Sequence, residues 1–154
     1  MKKIYLYMIF FLLISSCKFN LDNPELSPES LTITLDKTVY HIDEPLTLVI
    51  QNGSNEDLIL GNCSTNPGFD IVKLTHSQWE IPYYLDCAAI GEPFEIKRGQ
   101  VFVRSINLPV FANQLDKVEG KYKLRLWLYK KSEAAERKYL PDSLRTTSVF
   151  ELVK

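Results

Sequence analysis

Hydrolytic chemistry needs a nucleophile, a base and an orienting group in contact, and Asp70 and His76 are the nearest Asp/His pair with serines close by. On one extended strand six residues span roughly 20 Å, so the two side chains cannot touch. No G-x-S-x-G elbow occurs. A copper electron-transfer site needs two histidines, a cysteine and usually a methionine. The methionines here are Met1 and Met8, and neither His41 nor His76 closely follows Cys63 or Cys87. The chain contains no Asp-x-Asp calcium loop and no glycine-rich phosphate loop. Glu80, Asp86, Glu92 and Glu95 are carboxylates near Cys87, but their spacing yields no acid/base pair of the kind used in glycoside hydrolysis. The expectation is a non-enzymatic protein with no metal and no cofactor.

Aromatic side chains next to polar ones suit binding better than catalysis. Residues 119–130 read EGKYKLRLWLYK, in which Tyr122, Leu124, Leu126 and Leu128 alternate with Lys121, Lys123, Arg125, Trp127 and Tyr129. That period of two predicts a long central strand; a helix would swing Leu126 away from Leu124 and Leu128. Trp127, Tyr129 and Arg125 then share the opposite face as a candidate ligand surface, unless both faces of the strand are simply covered. Trp79, Tyr83 and Tyr84 form a second aromatic group.

The first residues read as an address. Lys2 and Lys3 precede an apolar run over residues 4–14, too short for a finished span of a bilayer about 30 Å thick but suited to a signal-peptide core. The run ends Leu13-Ile14-Ser15-Ser16-Cys17, which resembles the bacterial lipobox. The resemblance implies cleavage after residue 16 and acylation of Cys17, and two or more chains anchor stably at roughly 0.8 kcal/mol per buried methylene. It places the protein in the bacterial cell envelope, bound to the membrane through acyl chains on Cys17. Lys18 stands where some lipoproteins carry an aspartate that retains them in the inner membrane, so the outer membrane is the expected destination. Residues 17–30 comprise the lipidated cysteine and a tether; the thirteen from Lys18 to Ser30, with two prolines, reach roughly 40 Å when extended. Without residues 1–16 the chain keeps 16 basic against 19 acidic side chains, a net charge of −3. No basic block remains to displace counterions from a nucleic acid, so no nucleic-acid partner is expected.

With Cys17 assigned to lipid, Cys63 and Cys87 remain as a pair in a compartment where disulfides persist. A bridge across about 25 residues stabilises by roughly 3.5 kcal/mol in the chain-entropy model. The competing metal or redox reading has no C-x-x-C behind it. Trp79 is expected to pack on this bridge.

Short alternating segments fill residues 31–154, with Leu46, Leu48 and Ile50 expected inward and strong turn chemistry at Asn52-Gly53-Ser54-Asn55. Residues 69–75 and 79–85 predict a hairpin around His76-Ser77-Gln78. Residues 131–142 read as helix-tolerant, with Ser132 as a cap and Pro141 as a stop. This spacing of strands and turns predicts an all-β fold, an antiparallel Greek-key sandwich of about 7–9 strands forming one domain over residues 31–154. A strand-rich α+β fold is the runner-up.

Several of these residues resemble the motifs of bacterial immunoglobulin-like domains. The opening Tyr40…Glu44-Pro45-Leu46…Gln51-Asn52 is followed by Lys97-Arg98-Gly99, by Gly120-Lys121-Tyr122-Lys123-Leu124 and by Thr147-Ser148-Val149-Phe150-Glu151-Leu152. Tyr122 resembles the corner tyrosine of such sandwiches. The layout is also similar to the intracellular proteinase inhibitor family. These are scaffold motifs: they imply an immunoglobulin-like sandwich and carry over no catalytic residue. The expected role is a binding or accessory module with a protein partner in the envelope. The alternatives are a proteinase inhibitor-like domain, using residues 62–68 or 131–142 as its loop, and a carbohydrate-binding module using Trp127 and Tyr129. Asp142-Ser143-Leu144 resembles an O-glycosylation acceptor of some outer-membrane bacteria, which makes Ser143 a candidate modification site.

Overall fold

The computed structural model describes residues 30–42, 44–82, 87, 91–107 and 117–154. The expectations for the leader, Cys17, the tether, Tyr83, Tyr84 and Asp86 lie outside the described residues.

Period-two patterning builds two facing sheets. In β3 (Pro45–Asn52), Leu46, Leu48 and Ile50 are fully buried while Pro45 and Gln51 face out. β1 (Leu31–Leu35) and β10 (Val101–Asn107) flank β3 antiparallel, with Leu35 opposite Leu48 and Phe102 opposite Ile50. The facing sheet runs in the order β2 (Val39–His41), β13 (Phe150–Val153), β11 (Gly120–Leu126), β7 (Phe69–Thr75), β8 (Gln78–Glu80). All its pairings are antiparallel except β2 with β13. Two small sheets sit beside these: β12 (Leu128–Lys130), β4 (Leu58–Leu60) and β9 (Phe94–Ile96) form one, and β5 (Asn62–Cys63) with β6 (Asn66–Pro67) the other. The chain leaves β3 for β7 in the opposite sheet, returns for β10 and crosses again for β11, which is Greek-key connectivity. The protein is an all-β, immunoglobulin-like sandwich.

Between the sheets Tyr40, Phe69, Tyr122 and Phe150 join the inward leucines and isoleucines, each full burial contributing about 1.5–3 kcal/mol. Gly120, at φ +141°, turns the chain into β11, and the Tyr122 hydroxyl donates to the Val118 carbonyl at 2.5 Å, the tyrosine-corner contact. Burial, with a smaller contribution from the Glu119 carboxylate, pushes the Tyr122 hydroxyl up to about 12. The Tyr40 hydroxyl donates to Asp36 Oδ1 at 2.7 Å; burial and then this bond also raise it. Asn52, fully buried, fixes the bend from β3 towards β4. Its Nδ2 donates to the carbonyls of Glu56 and Ile96 at 2.9 and 3.0 Å, and its Oδ1 accepts from the Ser54 hydroxyl at 2.6 Å.

Three expectations are corrected. The strand predicted over residues 119–130 breaks at Trp127 into β11 and β12. Residues 131–142 form no helix stopped by Pro141. A 3-10 turn spans Lys131–Glu133, and the single short helix described, α1 (Asp142–Arg145), follows Pro141, whose φ of −51° suits the residue entering a helix. Trp79 does not pack on the Cys63–Cys87 bridge; it is 39% exposed on the edge strand β8, with the Lys123 ammonium 4.4 Å from its ring. The hairpin between β7 and β8 turns on His76 and Ser77, both at positive φ (47° and 68°), as a two-residue type I′ connection demands.

Candidate ligand-binding hollow

Where β11 ends, the chain passes from the five-stranded sheet to β4, and Trp127 is the residue at the crossing. Its N–H donates to the Gly68 carbonyl at 2.9 Å, and its carbonyl accepts from Gly61 N–H at 2.8 Å. Gly68 N–H in turn donates to the Gly61 carbonyl at 2.7 Å. Both glycines are needed for space. A Cβ on Gly68 would lie 2.8 Å from the indole Cδ2, and one on Gly61 would lie 3.1 Å from the Trp127 Cβ. The half-buried indole therefore lies directly on backbone.

One carboxylate fixes the orientation of this corner. Asp70 Oδ1 accepts from Trp127 Nε1 at 3.2 Å, and Asp70 Oδ2 accepts from Arg125 Nε and Nη2 at 3.1 and 2.9 Å. Arg125 reaches Asp142 with Nη1 at 3.3 Å, and Asp142 is bound by Arg145. Burial would lower the Arg125 guanidinium, but the Asp70 bond and charge more than offset it and hold its pKa above the usual value. Arg125 is thus committed to Asp70 and Asp142, and the expected ligand surface of Trp127, Tyr129 and Arg125 is rearranged. Tyr129 is 9% exposed rather than outward, its ring 6.2 Å from that of Tyr139 at 59°.

Beside this corner opens a hollow of about 250 Å³. Trp127, Tyr129 and Tyr139 supply its aromatic walls, Asn62 and Arg137 its polar groups, and Gly61, Gly91 and Pro93 the remainder. Tyr139 is held over it by a bridge to Tyr129 and by Leu140 N–H donating to the Leu128 carbonyl at 2.8 Å. Arg137 closes the preceding turn with φ 50°, a left-handed conformation costly for a residue with a side chain. That turn is pinned by Lys131 Nζ to Glu95 at 3.0 Å, by Ser132 Oγ to Glu56 at 2.9 Å and by Lys131 N–H to the Asp57 carbonyl at 2.9 Å. Arg137 itself has no ion pair among the described residues. Asn62 is nine-tenths buried; its Nδ2 donates to the Glu92 carbonyl at 2.8 Å, while its Oδ1, closed off from solvent, has no hydrogen-bond partner among the described residues. The wall here is tied covalently, since Cys63, next to Asn62, is bonded to Cys87 with the Cα atoms 5.3 Å apart. Asn62, Arg137 and Tyr139 had no distinguishing motif; the one local signal was an aromatic next to Leu140-Pro141.

The remaining predicted residues are scattered. Asp70 and His76 are at opposite ends of β7, Asp70 committed to Arg125 and Trp127 and His76 in the turn. Glu95 is paired with Lys131, and Ser143 is exposed on α1. Of residues 62–68, only Ser64 and Thr65 are exposed, the rest being drawn into the β5–β6 clasp. What the hollow offers is aromatic surface and, in Arg137, a cation with no ion pair among the described residues.

No family model matches the chain, and no curated protein matches it. Among solved structures it is similar to the Pseudomonas fluorescens alkylpurine DNA glycosylase AlkC bound to DNA containing an abasic site analog, at 9% identity and a TM-score of 0.36. The match covers 80% of this chain and 29% of that one, so this chain spans under a third of that protein's length, and a likeness of this degree carries no functional argument.

Proposed function

We propose that this chain is a lipid-anchored protein of the bacterial cell envelope, held to the outer membrane by acyl chains on Cys17, that acts as a non-enzymatic binding module. The lipobox-like Leu13-Ile14-Ser15-Ser16-Cys17 supports the anchor. The observation that carries the binding role is the hollow of about 250 Å³ at the sheet crossing, walled by Trp127, Tyr129 and Tyr139 with Asn62 and Arg137 as its polar groups. A small aromatic-walled hollow with few polar groups is the usual form of a ligand seat.

The test is affinity capture from envelope extract with the full lipidated chain, using Cys17→Ser as the unlipidated control and Tyr139→Ala as the altered hollow. Envelope material retained by the wild type and lost in Tyr139→Ala supports the reading. Equal retention by both refutes the assignment of the seat. Exclusion of both the wild type and Cys17→Ser from the detergent phase refutes the anchor.

A further inference from the structure

Taking only the anchor from that reading, we infer that the outer face of the β1–β3–β10 sheet is a contact surface on which two membrane-anchored copies of this chain pair sheet to sheet. Alternation along the three strands puts two cross-strand rows on that face: Thr34 and Val103 flank Val49, and Thr32 and Val101 flank Gln51. Thr47 beside Ser105 continues them. Val101 and Val103 are 52% and 57% exposed. The one charged residue of these strands, Arg104, alternates to the other side, where Nη2 donates to the Thr65 carbonyl at 3.1 Å and the guanidinium lies 5.5 Å from the Phe94 ring. The facing sheet is different: its outer side carries Lys121, Lys123, Arg125 and Glu151. An exposed sheet face kept free of charge has the composition of an interface core rather than of ordinary surface.

Three features select a second copy as the occupant. An isologous contact must complement itself. Every polar side chain on this face is a hydroxyl or a carboxamide, which both donates and accepts, so each can pair with its own kind; a carboxylate or an ammonium could not. Without residues 1–16 the chain carries 16 basic against 19 acidic side chains, and copies that meet on an uncharged face bring no like charges together. The face is also small. Seven residues at about 3.4 Å each and three strands about 4.8 Å apart give roughly 14 by 24 Å, well below the ~800 Å² per partner of a standard interface. Free copies therefore pair weakly, and confinement to one membrane by the acyl chains on Cys17 raises their effective concentration to about the millimolar range.

The experiment is thiol cross-linking of the full lipidated chain with a bis-maleimide, in vesicles of phosphatidylethanolamine and phosphatidylglycerol. With Cys17 acylated and Cys63 bonded to Cys87, an introduced thiol is the one that reacts. Gln51→Cys, on the face, is expected to give covalent dimer, and Lys121→Cys, on the outer side of the facing sheet, to give little. Adding Val103→Glu to the Gln51→Cys chain sets a carboxylate on both copies, at a position exposed enough to tolerate it, and should cut the dimer yield roughly tenfold. Equal yields from Gln51→Cys and Lys121→Cys, or a yield that Val103→Glu leaves unchanged, overturn the pairing. A chain that does not stay with the vesicles refutes the anchor instead. Sedimentation of the Cys17→Ser chain at about 1 mM then decides the pairing: a dimer lost in Val103→Glu supports the face, and a monomer overturns it.

Discussion

Removing the Asp70 carboxylate probes the corner on which the hollow depends. In Asp70→Ala the Arg125 guanidinium, 25% exposed, keeps only Asp142 at 3.3 Å, and the Trp127 N–H loses its acceptor. Hydrogen bonds to charged groups contribute about 1.5–3 kcal/mol each. Both Arg125 nitrogens share one oxygen and the Asp70 side chain is 17% exposed, so the low end applies. About 2 kcal/mol for the ion pair and about 1 kcal/mol for the indole bond give a loss of about 3 kcal/mol. For a domain of this size that lowers the Tm by roughly 10 °C, measurable by thermal unfolding followed by circular dichroism. A double-mutant cycle with Arg125→Gln should give a coupling of at least about 1 kcal/mol. A loss below about 1 kcal/mol, or strictly additive single losses, would refute the view that Asp70 fixes this corner.

Other consequences follow from the same geometry. Because the Tyr122 hydroxyl is raised from 10.0 to about 12 in the folded protein, the neutral form is favoured by folding. Its contribution is therefore complete below pH 10 and is lost as pH rises towards 12, by roughly 2–3 kcal/mol, and Tyr122→Phe should flatten that part of a stability–pH curve. An unchanged slope in the variant would exclude Tyr122 as the source. Gly68→Ala forces a methyl group against the Trp127 ring and should cost about 1–3 kcal/mol in denaturant unfolding, relieved in part by Trp127→Leu; equal losses in both backgrounds would contradict the packing. Reduction of the Cys63–Cys87 bridge should lower stability by about 3.5 kcal/mol, read by denaturant titration with and without reductant, and coincident curves would show the bridge to be energetically silent.

The scaffold was legible because its determinants are local. Leu46, Leu48 and Ile50 alternate within one strand, Gly120 stands two residues before Tyr122, and β7 and β8 meet at a two-residue turn. The hollow was not legible, because its determinants are distant in sequence. The strand breaks at Trp127 because Gly61 and Gly68, far upstream, capture its backbone and make room for its ring. A period-two pattern passes through that point unchanged, since Leu126 and Leu128 are both buried on either side of it. The expectation for Trp79 rested on sandwiches whose bridge joins the two sheets, whereas here the bridge leaves the β5–β6 clasp. Pro141 serves equally as the end of one helix and the approach to another, and only the placement of α1 decides between them. Arg137 and Tyr139 lie in a polar stretch whose value comes from where Glu56, Asp57 and Glu95 hold it.

The most direct test of the hollow as a ligand seat uses its own indole as the reporter. The chain has two tryptophans, so Trp79→Phe leaves Trp127 as the sole indole emitter. Titrated with solubilised envelope material, this protein should show a saturating change in Trp127 fluorescence that Tyr139→Ala abolishes. A flat Trp127 signal, alongside retained capture of envelope material by the same protein, would place binding elsewhere and contradict the account.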